Sequence, residues 1–171
     1  MEIWDLYNEK REPVGKTHLR GEKIPDGLYH LAVHVWIRNS KREFLISKRS
    51  DDRPKFPLLY ECVGGSALAG EDSLGAALRE VKEEVGIDLG KEAGRVAFSV
   101  VGRVINGKKF DDILDVWIFD YEGVADLEGA TTNEVAEVKW MSVDEIRKLS
   151  DDKKLVYTLE YFFDKIATAK S

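Results

Sequence analysis

The sequence predicts an α/β domain in which helices pack on a sheet, and three observations carry that reading. Runs rich in aromatic and β-branched residues stand before and after one central amphipathic helix. A capping-box signal and a helix-spaced apolar pattern close the chain. No linker, low-complexity tract or internal repeat interrupts the 171 residues, so one domain over 1–171 is the expected organisation.

Taken in order, the first twenty residues read as two short extended pieces around a turn at Glu12-Pro13-Val14-Gly15, and "KIPDGLYH" supplies another turn. "LYHLAVHVWI", from Leu28 to Ile37, and "EFLISKR" form a strand pair across Asn39 to Arg42. "DRPKFPLLY" is a loop, because Pro54 and Pro57 cannot serve an inner strand. Asp72 or Ser73 caps a helix that runs to about Val85, where Gly86 stops it. "RVAFSVVGRVI" and "DILDVWIFDY" are strands separated by Asn106-Gly107, a strong hairpin signal. "EVKWM" is a short strand, and Ser142 with Glu145 is a capping box. A last amphipathic helix is expected from about Lys153 to Ala167, with Leu155, Leu159, Phe162, Phe163 and Ile166 on one side.

Composition limits the function. The net charge is −6 with acids and bases mixed, which argues against a nucleic-acid backbone as partner and offers no polybasic face to a membrane. No apolar run approaches the roughly 20 residues needed to span a bilayer, and the N-terminus lacks the apolar core of a secretory signal. The single cysteine, Cys62, is compatible with a reducing compartment, so a cytoplasmic location is expected.

On the central helix, Leu74, Leu78, Val81 and Val85 gather on one side with Ala77 at their edge. Glu80, Glu83 and Glu84 share an arc well away from it. The ordinary reading of such an arc is a solvated face, although like charges three and four residues apart repel. The other reading is a site for hard divalent cations, which take oxygen ligands from a few carboxylates and from substrate phosphates. Gly64-Gly65 and Gly70 nearby let the backbone turn or approach a ligand, and Arg79 stands beside Glu80 and four residues before Glu83.

Together these residues resemble the Nudix hydrolase family. Residues 65–87 match, without a gap, the pattern Gly-x5-Glu-x7-Arg-Glu-U-x-Glu-Glu-x-Gly-U, where U is bulky and aliphatic. Gly65, Glu71, Arg79, Glu80, Val81, Glu83, Glu84, Gly86 and Ile87 fill every defined position. The resemblance implies an α/β/α sandwich with a mixed sheet. It also implies hydrolysis, dependent on Mg²⁺ or Mn²⁺, of a diphosphate linkage in a small nucleoside di- or triphosphate or in a nucleoside diphosphate joined to another moiety. Carried over, Glu80 and Glu84 are the chief metal ligands, Glu83 completes the cluster or acts through water, and the Gly64 carbonyl is a further ligand. Glu71 and Arg79 brace the loop and helix by a salt bridge. Family members recruit a later acid as well; Asp111, Asp112, Asp115, Glu134 and Glu137 qualify, and Asp112 is favoured. The N-terminal arm also leaves a homodimer open.

"WDLYNEKREPVGK", "GLYHLAVHVWIRN" and "FLISKRS" resemble the isopentenyl-diphosphate isomerase-like branch of the same superfamily. Members with isomerase activity carry a cysteine just before the first glycine of the box and a histidine just after it, where this chain has Gly64 and Ser66. Cys62 lies two residues, about 6–7 Å, too early. The hydrolase reading is therefore preferred to an isomerase, with Cys62 expected as a buried apolar residue. A binding module that keeps the fold without catalysis would show a substituted glutamate, and none is substituted. Lys48 and Arg49, after a strand, are candidates for substrate phosphate, and Phe56 and Tyr60 for the rest of the substrate. His30, Trp36, Trp117 and Trp140 are expected in the core.

Overall fold

The computed structural model describes residues 1–170. Its N-terminal arm is a hairpin of β1 (Ile3–Tyr7) and β2 (Pro13–Leu19). The turn lies earlier than the sequence predicts. Asn8 Oδ1 accepts from the backbone of Lys10 and Glu12 and closes the chain over Asn8–Arg11, which leaves Pro13 free to begin β2.

The main sheet is built from β3 (His30–Arg38), β4 (Phe44–Arg49), β5 (Tyr60–Glu61), β6 (Val63–Ser66), β7 (Gly94–Val101), β10 (Asp112–Asp120) and β11 (Val135–Met141). A separate two-residue hairpin, β8 (Val104–Ile105) with β9 (Lys108–Lys109), turns on Asn106 and Gly107. Both turn residues have positive φ, as a tight hairpin turn of the right twist requires. The path β11-β4-β3-β10-β7 is mixed, since β10 runs parallel to β3 and the other pairs are antiparallel. β3 pairs with β4 only at Arg38–Phe44 and with β6 along Ala32–Val35. The sheet therefore splits, and Gly64–Ser66 lie at the split.

Alternation in β3 and β10 assigns the two faces. Val33, Val35, Ile37, Ile113 and Phe119 pack under α1 (Ser73–Val85) through Ala77, Val81 and Val85. Trp36, Leu114, Val116 and Ile118 pack on the other side against Ile146 of α2 (Val143–Asp151) and against Leu155, Leu159, Phe162 and Ile166. Burial on both faces explains why β10 reads as a near-continuous apolar run. Trp36 is fully buried, while Trp117 and Trp140 are half-buried, their indole N–H groups donating to Ser73 Oγ and the Gly123 carbonyl.

The C-terminal helix is shorter than the periodicity predicts. Only α3 (Phe162–Lys165) is α-helical, preceded by a single 3₁₀ turn at Tyr157–Leu159. The apolar residues are nearly all buried as expected, yet Leu155 and Val156 are extended because Tyr60 donates to the Lys154 carbonyl and accepts from Val156 N–H. Sheet pairing here outweighs helical spacing.

A candidate acidic metal and diphosphate site

The central helix forms where the sequence places its ends. Asp72 is extended and its side chain accepts from Gly75 N–H, while Gly86, at φ +72, caps the other end and donates to the Lys82 carbonyl. Glycine at 86 is also a packing requirement, since a Cβ there would stand 2.5 Å from the Gly129 carbonyl carbon. The loop that Gly129 brings in donates from Thr131 and Thr132 N–H to the Glu83 carbonyl.

Arg79 organises the acidic face. Its Nε and Nη2 hold both oxygens of Glu71 at 2.9 and 3.0 Å, and Nη2 also reaches the Ser66 carbonyl at 2.9 Å. Nη1 donates to Glu80 at 3.0 Å and to Glu83 at 3.1 Å. Glu71 in turn accepts from Leu68 N–H, so one guanidinium ties the box loop, β6 and α1 together.

Glu84 departs from the wheel. A solvated arc predicts exposure for all three glutamates, but Glu84 is 5% exposed, covered where the helix meets the split sheet. Its Oε2 is buried with no hydrogen-bond partner among the described residues. Burial, then the neighbouring Glu80, Glu61 and Glu134 carboxylates, push the Glu84 carboxyl well above the ordinary range. Burial likewise pushes Glu80 up to about 7, against the pull of Arg79.

These three glutamates share a hollow of about 180 Å³ with Gly64, Gly65 and Glu134, faced by Arg20, Arg49 and Arg53. Among the described residues, no three acidic, imidazole or thiol side chains converge into a closed metal cage. The donor set nevertheless fits a hard divalent cation. It is all oxygen, it includes a buried carboxylate oxygen without a partner, and the hollow is open for phosphate and water to complete the coordination.

A second hollow of about 260 Å³ shares Arg49, Gly64, Gly65 and Ser66 with the first. It holds Asp112, paired with Arg103 at 3.0 Å, and His30, whose ring stacks on Trp4 at 4.1 Å. The structure therefore places Asp112 apart from the three glutamates and puts Glu134 beside them. Asp115 is buried in an ion pair with Arg11, and Asp111 and Glu137 line neither hollow. Arg49 faces both hollows and binds Glu61 at 2.7 Å, whereas Lys48 points over the Tyr60 ring. Phe56 packs on Tyr157. Cys62 is buried and desolvation raises its thiol well above the usual range, away from the thiolate. Sequence reasoning missed Arg20, Arg53, Glu61 and Arg103, which come from distant segments and carry no local pattern.

Comparison with known proteins agrees with this fold. Residues 28–162 match the family model described as the NUDIX domain. An uncharacterized Nudix hydrolase of Listeria monocytogenes is 39% identical over 166 residues, which cover 95% of this chain and 91% of that protein. A chloroplastic isopentenyl-diphosphate Delta-isomerase of Cannabis sativa is 31% identical over 164 residues, covering 84% of this chain and 56% of its own length. The crystal structure of DR0079 from Deinococcus radiodurans has the same fold, with a TM-score of 0.71 at 22% identity over 91% of this chain and 93% of that one. Among the described residues no helix is long and apolar enough to cross a membrane.

Proposed function

The chain belongs to the Nudix hydrolase family, and from that premise we propose that it hydrolyses a diphosphate linkage in a small nucleotide-type substrate with Mg²⁺ or Mn²⁺. The observation that carries the reading is the buried, unpartnered Glu84 carboxylate oxygen in an acidic hollow that three arginines face.

Glu80, Glu83, Glu84 and the Gly64 carbonyl would hold the cation. When bound, it neutralises phosphate charge and lowers the pKa of an attacking water. Arg79 holds Glu80 and Glu83 in place, and Glu71 holds Arg79. Arg20, Arg49 and Arg53 face the same space and would orient the diphosphate. Glu83 and Glu134 both border the hollow, so either is placed to accept the proton that water gives up at phosphorus. Asp112, in the adjoining hollow, would contact the substrate beyond its phosphates. Lys48, Phe56 and Tyr60 line neither hollow and would act only on a long substrate.

An isomerase lacks its chemistry here, since Gly64 and Ser66 flank the first box glycine and Cys62 is a buried thiol. The test is a panel of nucleoside di- and triphosphates, nucleotide sugars, dinucleotides and isopentenyl diphosphate with Mg²⁺ or Mn²⁺, scored for phosphate products and for isomerised substrate. Metal-dependent release of phosphate or nucleotide is expected; isomerised product without hydrolysis would overturn the proposal.

A further inference from the structure

The second hollow contains buried polar groups that the hydrolytic machinery leaves unused. After β7, Gly102 at φ +61 turns the chain against Tyr29, whose ring lies 3.1 Å from where a Cβ would stand. Arg103 then lies against the Phe110 ring, 4.5 Å from its centroid, and Nη2 donates to Asp112 Oδ2 at 3.0 Å. Nε and Nη1 of Arg103, Oδ1 of Asp112 and Nδ1 of His30 are buried and have no partner among the described residues. Asp112 is 4% exposed. Leaving such atoms unpaired costs about 1–3 kcal/mol each, so the cluster is poor packing and a good complement to a group that both donates and accepts.

Charge and size narrow that group. In this hollow Arg103 is paired with Asp112, and Arg49, the other cation, also faces the acidic hollow, where it would engage the diphosphate, so a further phosphate finds no free positive charge here. At about 260 Å³ the hollow holds one ring, since pockets for drug-sized ligands start at roughly 300 Å³. A hydrocarbon would leave the four buried polar atoms without partners. Arg49, Gly64, Gly65 and Ser66 line both hollows, so a diphosphate held on the acidic side, as proposed, would deliver its next group here.

We infer that this hollow is the specificity pocket for a neutral hydroxylated ring, the sugar of a sugar-bearing diphosphate, with Arg103 donating to and Asp112 accepting from adjacent hydroxyls. The inference rests on the proposed function for where the phosphates sit.

The test is calorimetric binding of ADP-ribose, UDP-glucose and isopentenyl diphosphate in Mg²⁺ to the full chain, to Arg103→Leu and to Asp112→Asn, with product release measured on the same samples. Both sugar diphosphates are expected to bind at least about 10-fold more tightly than isopentenyl diphosphate, and each substitution to weaken them about 10- to 100-fold while changing isopentenyl diphosphate less than about 3-fold. Asp112→Asn keeps the side chain's shape, so it reports even where Arg103→Leu folds poorly. Equal binding of all three probes, or equal losses for all three, would overturn the inference. Sugar preference lost in the variants but without cleavage would support the pocket and reject the hydrolase; cleavage without sugar preference would do the reverse. Binding by no probe would reject both.

Discussion

Gly65 and Glu80 touch so closely that no methyl group fits between them: a Cβ on Gly65 would stand 2.1 Å from Oε1 of Glu80 and 2.8 Å from Oε2. The first glycine of the box is thus required by the carboxylate it faces. The obstructing atoms end a flexible side chain, so Gly65→Ala is expected to fold while Glu80 swings aside. Metal-dependent turnover should fall at least about 10-fold with a melting temperature within a few degrees of wild type, because only the ligand's position is disturbed. Unchanged turnover in steady-state assays would show that Glu80 need not sit there.

Arg79 offsets the charge of Glu71, Glu80 and Glu83 at once. Arg79→Met should cost about 2–4 kcal/mol in urea unfolding without metal, since it leaves partly buried acids unpaired. Saturating Mg²⁺ should return part of that loss, the cation replacing the guanidinium as countercharge. A loss indifferent to Mg²⁺ would mean the arginine braces the loop and nothing more.

Acid stability has a separate source. Burial alone would raise the Asp115 carboxyl, but hydrogen bonds from Arg11, Ser73 and Ser99 outweigh it and hold its pKa below the ordinary 3.8. A carboxyl depressed in the folded state stabilises above its unfolded pKa, and that contribution is lost as pH falls through the folded value. Asp115→Asn should therefore be less stable than wild type at pH 7, by about 1–3 kcal/mol given that Arg11 is partly exposed. The gap should narrow below pH 4 in urea midpoints taken from pH 7 to 3.

The contrast between Glu84 and the C-terminal segment shows what the sequence could reveal. The central helix and its Asp72 and Gly86 caps were legible because each depends on residues within one or two turns, whereas the Glu71–Arg79 bridge, which joins a loop to the helix, was expected only from the family resemblance. The burial of Glu84 was not legible, since it follows from the split at which the later strand β6, rather than the adjacent β4, takes most of the edge of β3, and no local pattern marks that exchange. Leu155 to Ile166 carried a helical pattern, but Tyr60 captures the backbone on either side of Leu155 and draws it into extended pairing. Arg103 and Asp112 meet only because Asn106-Gly107 folds a small hairpin between them. Spacing finds side chains on one element; it does not find those that meet by crossing the sheet.

The most direct measurement of the central claim, that the glutamate hollow holds a divalent cation, is a calorimetric titration of Mn²⁺ into wild type and Glu84→Gln. Saturable binding is expected of wild type, and a loss of at least about 10-fold in affinity of the variant, which keeps the side chain's shape but removes the buried anionic ligand. Equal Mn²⁺ affinity in the two proteins would contradict it.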